Sequence, residues 1–206
     1  MALFITFEGG EGSSKSTQAR MLYRRLLKLA VPTLLIHEPG VTSLGRRMAR
    51  LLKWAQDVDI SPLAELMMFN TSRAQLVDEI IQPALDKGKV VICDRFADST
   101  TAYQGYGRGL DLATVKKINR SATRELTPDL TVLLDMPVED SLARKNGKKD
   151  RFEAESIDFH KRVREGYLKL AADEPKRWLV VDATKSRNEI AELIWQRVSQ
   201  LLSSKG

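Results

Sequence analysis

The chain has 206 residues, 43% of them hydrophobic and 29% charged, with a formal net charge of +6 and a single cysteine. This length and balance suit one globular domain with a full core and exclude a disordered or fibrous protein. No apolar run approaches the roughly 18 residues that a membrane span needs, and the start MALFITFEGG has neither a basic region nor a small-residue cleavage site, so no secretory signal is expected.

Short apolar runs alternate with longer helical patterns from one end to the other. LFITF (3–7) reads as a strand and leads through a glycine turn into a helix over 15–29. TLLI (33–36) is the second strand, followed by helices over 44–54 and 62–87. The longer of these carries Leu63, Leu66, Met67, Phe69, Leu76, Ile80 and Ile81 as an apolar stripe wider than one sheet face needs, which points to a second copy of the chain. VVIC (90–93), LTVLLD (130–135) and WLVVD (178–182) complete the strands, and helices are expected over 112–124, 138–144, 155–172 and 188–202. Continuous apolar strands separated by helices are the pattern of a parallel sheet buried on both faces, hence a three-layer α/β domain. Cys93 lies in one of these runs and reads as a core residue; without a second cysteine there is no internal disulfide, and a cytoplasmic location follows.

The first turn carries chemistry. FEGGEGSSKSTQ nearly matches the phosphate-loop pattern G-x-x-x-x-G-K-[ST], with Gly9, Lys15 and Ser16 in place between a strand and a helix. Backbone N–H groups at such a helix start face a phosphate, and the helix dipole favours its charge. Lys15 then reaches the β- and γ-phosphates, and the Ser16 hydroxyl takes Mg²⁺. Ser14 stands where the pattern has glycine. A side chain at positive φ costs roughly 1–2 kcal/mol, enough to weaken ATP binding without abolishing it.

Two acids lie near this loop. Glu11 is inside it, directed toward a phosphate acceptor, and Asp94 ends a strand where a carboxylate holds Mg²⁺ or its waters, although either acid also suits the capping of a turn. Arg95 follows directly and suits a bidentate grip on a phosphate. The basic stretch RKNGKKDR (144–151) has three readings on composition alone: a solvated loop, a nucleic-acid surface, or cations for a nucleotide.

These segments carry a likeness. FEGGEGSSKSTQ, HEPGVTSLG, FNTSRAQLVDEIIQPAL, DRFADSTTAYQGYGRG, PDLTVLLDMP, DRFEAES and FHKRVREGYLKLA occur in the order and register of the bacterial thymidylate kinases, and the chain resembles that family nearly end to end. The resemblance implies an adenylate-kinase-like P-loop fold, five parallel strands in the order 2-3-1-4-5, in one domain over 1–206 with a small lid at about 140–155. It implies transfer of the γ-phosphoryl of Mg·ATP to dTMP, a homodimer, and no nucleic-acid or membrane partner. A regulatory nucleotide binder or a kinase of another nucleoside monophosphate are the alternatives.

Carried over residue by residue, Gly9, Gly10, Glu11, Gly12, Ser13, Ser14, Lys15, Ser16 and Thr17 hold ATP, and Ser16 and Asp94 hold the metal. Phe69 stacks on the base and Arg73 bonds its edge, one helical turn apart on one face. Arg95 grips the dTMP phosphate, Ser99 and Thr100 lie near the base, Tyr103 crowds the sugar 2′ position with Gln104 beside it, and Glu11 lies near the acceptor's sugar and the metal. Members without an arginine in the phosphate loop place catalytic arginines in the lid, which here implies Arg144 and Arg151 beside Lys15 and Arg95. DATKSRNE (182–189) resembles the segment beside adenine. Ser14, Val41 and His37 depart from the family pattern.

Overall fold

A computed structural model describes residues 2–55, 57–144 and 149–204. Five strands, β1 (Leu3–Glu8), β2 (Thr33–His37), β3 (Val90–Asp94), β4 (Leu130–Asp135) and β5 (Trp178–Asp182), form one parallel sheet in the order β2-β3-β1-β4-β5. The helices are α1 (Lys15–Lys28), α2 (Ser43–Trp54), α3 (Pro62–Leu76), α4 (Gln82–Asp86), α5 (Ala97–Thr100), α6 (Leu112–Thr123), α7 (Val138–Ala143), α8 (Ile157–Asp173) and α9 (Arg187–Ser204). The strand order is the one the family resemblance implies, and every apolar run read as a strand is one.

Strand alternation sorts the layers. Leu3, Ile5 and Phe7 of β1 face one way, into a core closed by Ala19, Leu22 and Leu26 of α1 and Ile190, Ile194 and Val198 of α9. Phe4 faces the other way, toward Leu76, Ile81 and Phe96. Glu8 shares that second face and is fully buried at the strand's C-terminal end. A parity set by the pleat thus delivers a carboxylate into the layer that carries α5 and α8.

Two stretches differ from the sequence expectation. The helix expected over 62–87 does run from α3 to α4, but through a widened π-helical turn at Val77–Ile81. Pro83 explains it: without an N–H it cannot serve the carbonyl four residues back, so the bonding shifts by one. The segment after β3, read only as a motif, is helical from α5 through a second widened turn at Thr101–Gly107. Its serine, threonines and glycines are poor helix formers, and packing holds it instead. A Cβ at Gly107 would stand 2.7 Å from the Phe159 ring on α8, so only glycine admits that approach.

β1 and β3 are neighbours, yet the chain leaves β1 into α1 on one face and β3 into α5 on the other. In open parallel sheets the crevice at such a divergence, beyond the strands' C-terminal ends, is where ligands bind. Among the described residues no helix is long and apolar enough to cross a membrane.

Candidate active site

The loop between β1 and α1 turns on two glycines at positive φ, Gly9 at 138° and Gly12 at 77°. A Cβ on Gly9 would meet the Leu134 carbonyl oxygen at 2.5 Å, and one on Gly12 would collide with the Ser141 carbonyl. Inside the turn Ser13 is fully buried and donates to the Gly10 carbonyl at 2.9 Å. Lys15 Nζ donates to the same carbonyl at 2.6 Å. Burial, together with the Arg95 cation, lowers the Lys15 pKa to about 8, against the pull of Glu11 and Asp94. An arriving polyphosphate favours the charged form, so this ammonium is held where phosphate would repay its desolvation.

Ser14 is the N-cap of α1 and sits in the left-handed region, at φ 69° and ψ 19°, with no capping bond from its side chain. The positive φ expected there is present. If the turn, fixed by where β1 ends and α1 begins, keeps this conformation when ATP binds, its strain of about 1 kcal/mol belongs to the fold and largely cancels between free and bound protein. Val41, a second departure, adopts no positive φ and packs its side chain against the core around Phe4 and Ile36. Neither change removes a charged group from the site.

Glu11, Gly12, Ser14, Lys15, Ser16 and Thr17 line the large cleft over the loop, together with Asp94, Arg95 and Arg144. Gly9 and Gly10 line a small cavity on the loop's other side and serve by shape. The Ser16 hydroxyl donates to the Asp94 carboxylate. Two hard oxygen donors touching each other, beside a phosphate loop, fit Mg²⁺, which keeps several waters and takes its remaining ligands from the nucleotide. Among the described residues there is no cluster of three or more acidic, histidine or cysteine side chains that would make a closed metal cage.

A second pocket opens off this cleft and shares Glu11, Glu38, Arg95 and Asp150 with it. Every residue expected to contact the acceptor lines it: Glu11, Phe69, Arg73, Arg95, Ser99, Thr100, Tyr103 and Gln104. Phe69 is half-buried and meets Phe152 at 5.6 Å between ring centroids.

Arg95 is the hinge between the two cavities. It lies just past β3 at φ 72°, a strained conformation for an arginine, with its N–H on the Phe7 carbonyl at 2.9 Å. Its guanidinium donates to Glu11 at 2.5 Å, to the Gly9 carbonyl, Ser99 Oγ and Tyr103 OH at 3.2 Å each, and to Tyr167 OH at 3.3 Å. Glu11 also accepts from Tyr103 OH at 2.8 Å. Behind them Glu8 accepts the Phe96 N–H at 2.8 Å, Ser99 Oγ at 2.6 Å and Tyr167 OH at 2.8 Å. Burial, reinforced by Asp98, raises the Glu8 pKa to about 7 despite these donors and Arg95.

Arg73 is 1% exposed, and all its N–H groups have partners. Nε meets Glu38 at 2.9 Å, Nη1 donates to Asn70 and Asn119 at 3.2 and 3.0 Å, and Nη2 to the Phe96 carbonyl and Thr100 Oγ1 at 3.3 and 2.5 Å. A base carbonyl that bonds Arg73 must therefore share or displace one of these, of which the Thr100 hydroxyl is the one free to rotate.

The two lid arginines part company. Arg144 lines the phosphate cleft and donates to the Ala183 carbonyl at 3.2 Å, beside the segment expected near adenine. Arg151 lines neither the cleft nor the acceptor pocket; its side chain is held by the buried Glu65. The structure does not bring it to the phosphate loop. Of the residues between them, Lys145 to Lys148 lie outside the described residues.

Glu8, Glu38, Tyr167 and Phe152 serve the site without having been singled out. Tyr167 and Glu8 sit 159 positions apart along the chain, and no local pattern joins them. The parity of Glu8 within β1 was the one available signal.

The sequence pattern of the thymidylate kinase family matches residues 7–194. A thymidylate kinase of Dehalococcoides mccartyi is 56% identical over 204 residues, 98% of each chain, and that of Cutibacterium acnes 49% over 202 residues, again 98% of each. The crystal structure of thymidylate kinase from Ehrlichia chaffeensis superposes with a TM-score of 0.78 at 33% identity, covering 96% of this chain and 98% of that one. With the family pattern matched over residues 7–194 and a relative 56% identical nearly end to end, the chain belongs to the thymidylate kinase family.

Proposed function

We propose that this protein transfers the γ-phosphoryl of ATP to the 5′-phosphate of dTMP, giving dTDP and ADP. The observation that carries the reading is the continuity of the two cavities at Glu11 and Arg95, which sets the phosphate loop and the pocket lined by Phe69 and Arg73 on either side of one guanidinium. Transfer between two phosphates needs little from the protein except alignment and charge neutralisation. Lys15 and the loop N–H groups hold the donor, Arg95 grips the acceptor phosphate, and Arg144 adds positive charge on the donor side. Ser16 and Asp94 would hold Mg²⁺, which when bound neutralises charge on the phosphate oxygens. Glu11, bonded to both Arg95 and Tyr103, fixes the clamp against the ring proposed to crowd a 2′-hydroxyl.

The acceptor base lies between Phe69 and the Arg73–Thr100 pair, and its identity is tested by ADP release with dTMP, dUMP, UMP, CMP and dGMP. A clear preference for dTMP is expected; better turnover of dGMP would reject the assignment. The stretch around 140–155 is proposed as the lid of a single domain, and the cytoplasm as the place of action. The protein is further proposed to pair through α3, where Leu63 and Met67 are 53% and 51% exposed one turn apart. Light scattering at micromolar concentration is expected to give twice the 23.2 kDa chain mass; a monomer would reject the pairing.

A further inference from the structure

Glu65 is an acid on α3, 1% exposed, one turn before Phe69 and on the same helix face. A buried carboxylate is expensive unless its lone pairs are filled. Here four donors fill them. Gln104 Nε2 donates to one oxygen at 2.8 Å, Arg108 spans both oxygens at 3.1 and 3.2 Å, and Arg151 Nη2 donates to the second. Arg108 is also paired with Glu155 at 2.6 Å, whereas the Arg151 backbone N–H is anchored on the Lys53 carbonyl of α2 at 3.1 Å.

The residue after Arg151 is Phe152, 5% exposed, whose ring lies 5.6 Å from Phe69 and 6.0 Å from Tyr103 and lines the acceptor pocket. The Arg151 guanidinium stands 5.3 Å over that same ring. One carboxylate therefore fixes two walls of the pocket: Gln104 directly, and Phe152 through the arginine that precedes it. Without the acid, the Arg108 and Arg151 guanidiniums would face each other without the carboxylate that now takes both, which favours release of Arg151.

We propose that Glu65 is a positioning residue of the acceptor pocket and that Arg151, held on it, is a strut for Phe152 rather than a cation on the transferring phosphoryl group. The inference rests on the acceptor reading of that pocket given above. It separates from a catalytic role by where the damage falls. A strut shapes acceptor binding, while a cation that meets charge developing in the transition state sets kcat.

Steady-state kinetics of Arg151→Gln, Glu65→Gln and the double variant, with thermal unfolding as the check on folding, decide the matter. Each single change is expected to raise the KM for dTMP about tenfold, the scale of losing a buried charge-assisted hydrogen bond. The KM for ATP and kcat should each stay within about threefold. The double variant should bind dTMP no worse than the poorer single one, because both break the same contact. Arg151→Lys, which keeps the charge on Glu65, should recover most of the dTMP affinity. A kcat lowered a hundredfold or more in Arg151→Gln with an unchanged KM for dTMP would overturn the proposal, as would fully additive effects in the double variant. If Glu65→Gln does not fold, the two Arg151 variants still decide. If the wild type prefers another nucleoside monophosphate, the base assignment fails, and the same split read on that acceptor still tests the role of Glu65.

Discussion

The phosphate loop and the acceptor pocket adjoin at Arg95 but are built by opposite means. The loop is nine consecutive residues, 9–17, whose work is done by backbone: two glycines at positive φ, N–H groups at a helix start, and one lysine. The pocket takes side chains from α3, the helical run after β3, and the segment before α8, and its charges are buried in pairs such as Arg73 with Glu38. Where backbone does the work, a side chain that fits beside it, as Ser14 does, comes at a modest and separable cost. Where buried ion pairs do it, a change costs more, because removing a partner strands the other charge in a medium that cannot solvate it.

The sharpest way to break this contrast is Arg73→Ala. Its loss strands Glu38, whose pKa burial already raises against the opposing pull of Arg73, and should cost about 3–5 kcal/mol of stability while raising the KM for dTMP more than that for ATP. Urea unfolding beside the kinetics reads both, and equal effects on the two substrates would count against the pocket assignment. Next is Arg95→Ala, expected to lower kcat/KM for dTMP by about 10²–10³ at the junction of the cavities, as loss of one preorganised charge donor does elsewhere. A tenfold loss or less would mean the clamp lies elsewhere.

Glu8 sharpens the comparison through pH. Its carboxyl is raised from 4.5 to about 7, so the folded protein holds a proton that the unfolded chain releases between those values. The stability this group supplies is full below about pH 4.5 and is lost as pH rises through about 7, by up to about 3 kcal/mol. Glu8→Gln removes that slope, and denaturant titrations at pH 5, 6, 7 and 8 should show the difference between the proteins changing in that window; parallel curves would contradict it. The smallest effect belongs to Ser14→Gly. Relief of left-handed strain should stabilise the fold by about 1 kcal/mol, a rise in Tm of about 2–4 °C, with the Kd for ATP moving less than about threefold. Calorimetry showing tenfold tighter ATP would place the strain in binding after all.

The same contrast governs what could be read in advance. The strands were legible because burial on both faces makes them continuous apolar runs, and the loop because its residues are adjacent. Apart from Glu11 and Arg95, read from their places beside the loop, the pocket lining was legible only through the family resemblance, since Phe69 alone reads as core. Its supports, Glu8, Glu38, Glu65 and Tyr167, were not legible beyond the strand parity of Glu8: each is an ordinary residue until the fold brings a distant partner to it. Helix α5 and its extension were hidden for a related reason, as packing against α6 and α8 overrides the weak propensity of ADSTTAYQGYG.

The proposed reaction passes a phosphoryl group from a donor on the loop to an acceptor in the pocket. Incubation with γ-labelled ATP and dTMP, followed by separation of the nucleotides, tests it most directly. Label is expected in dTDP in an amount equal to the ADP formed, and none without dTMP. ADP released with the label in free phosphate would contradict the transfer.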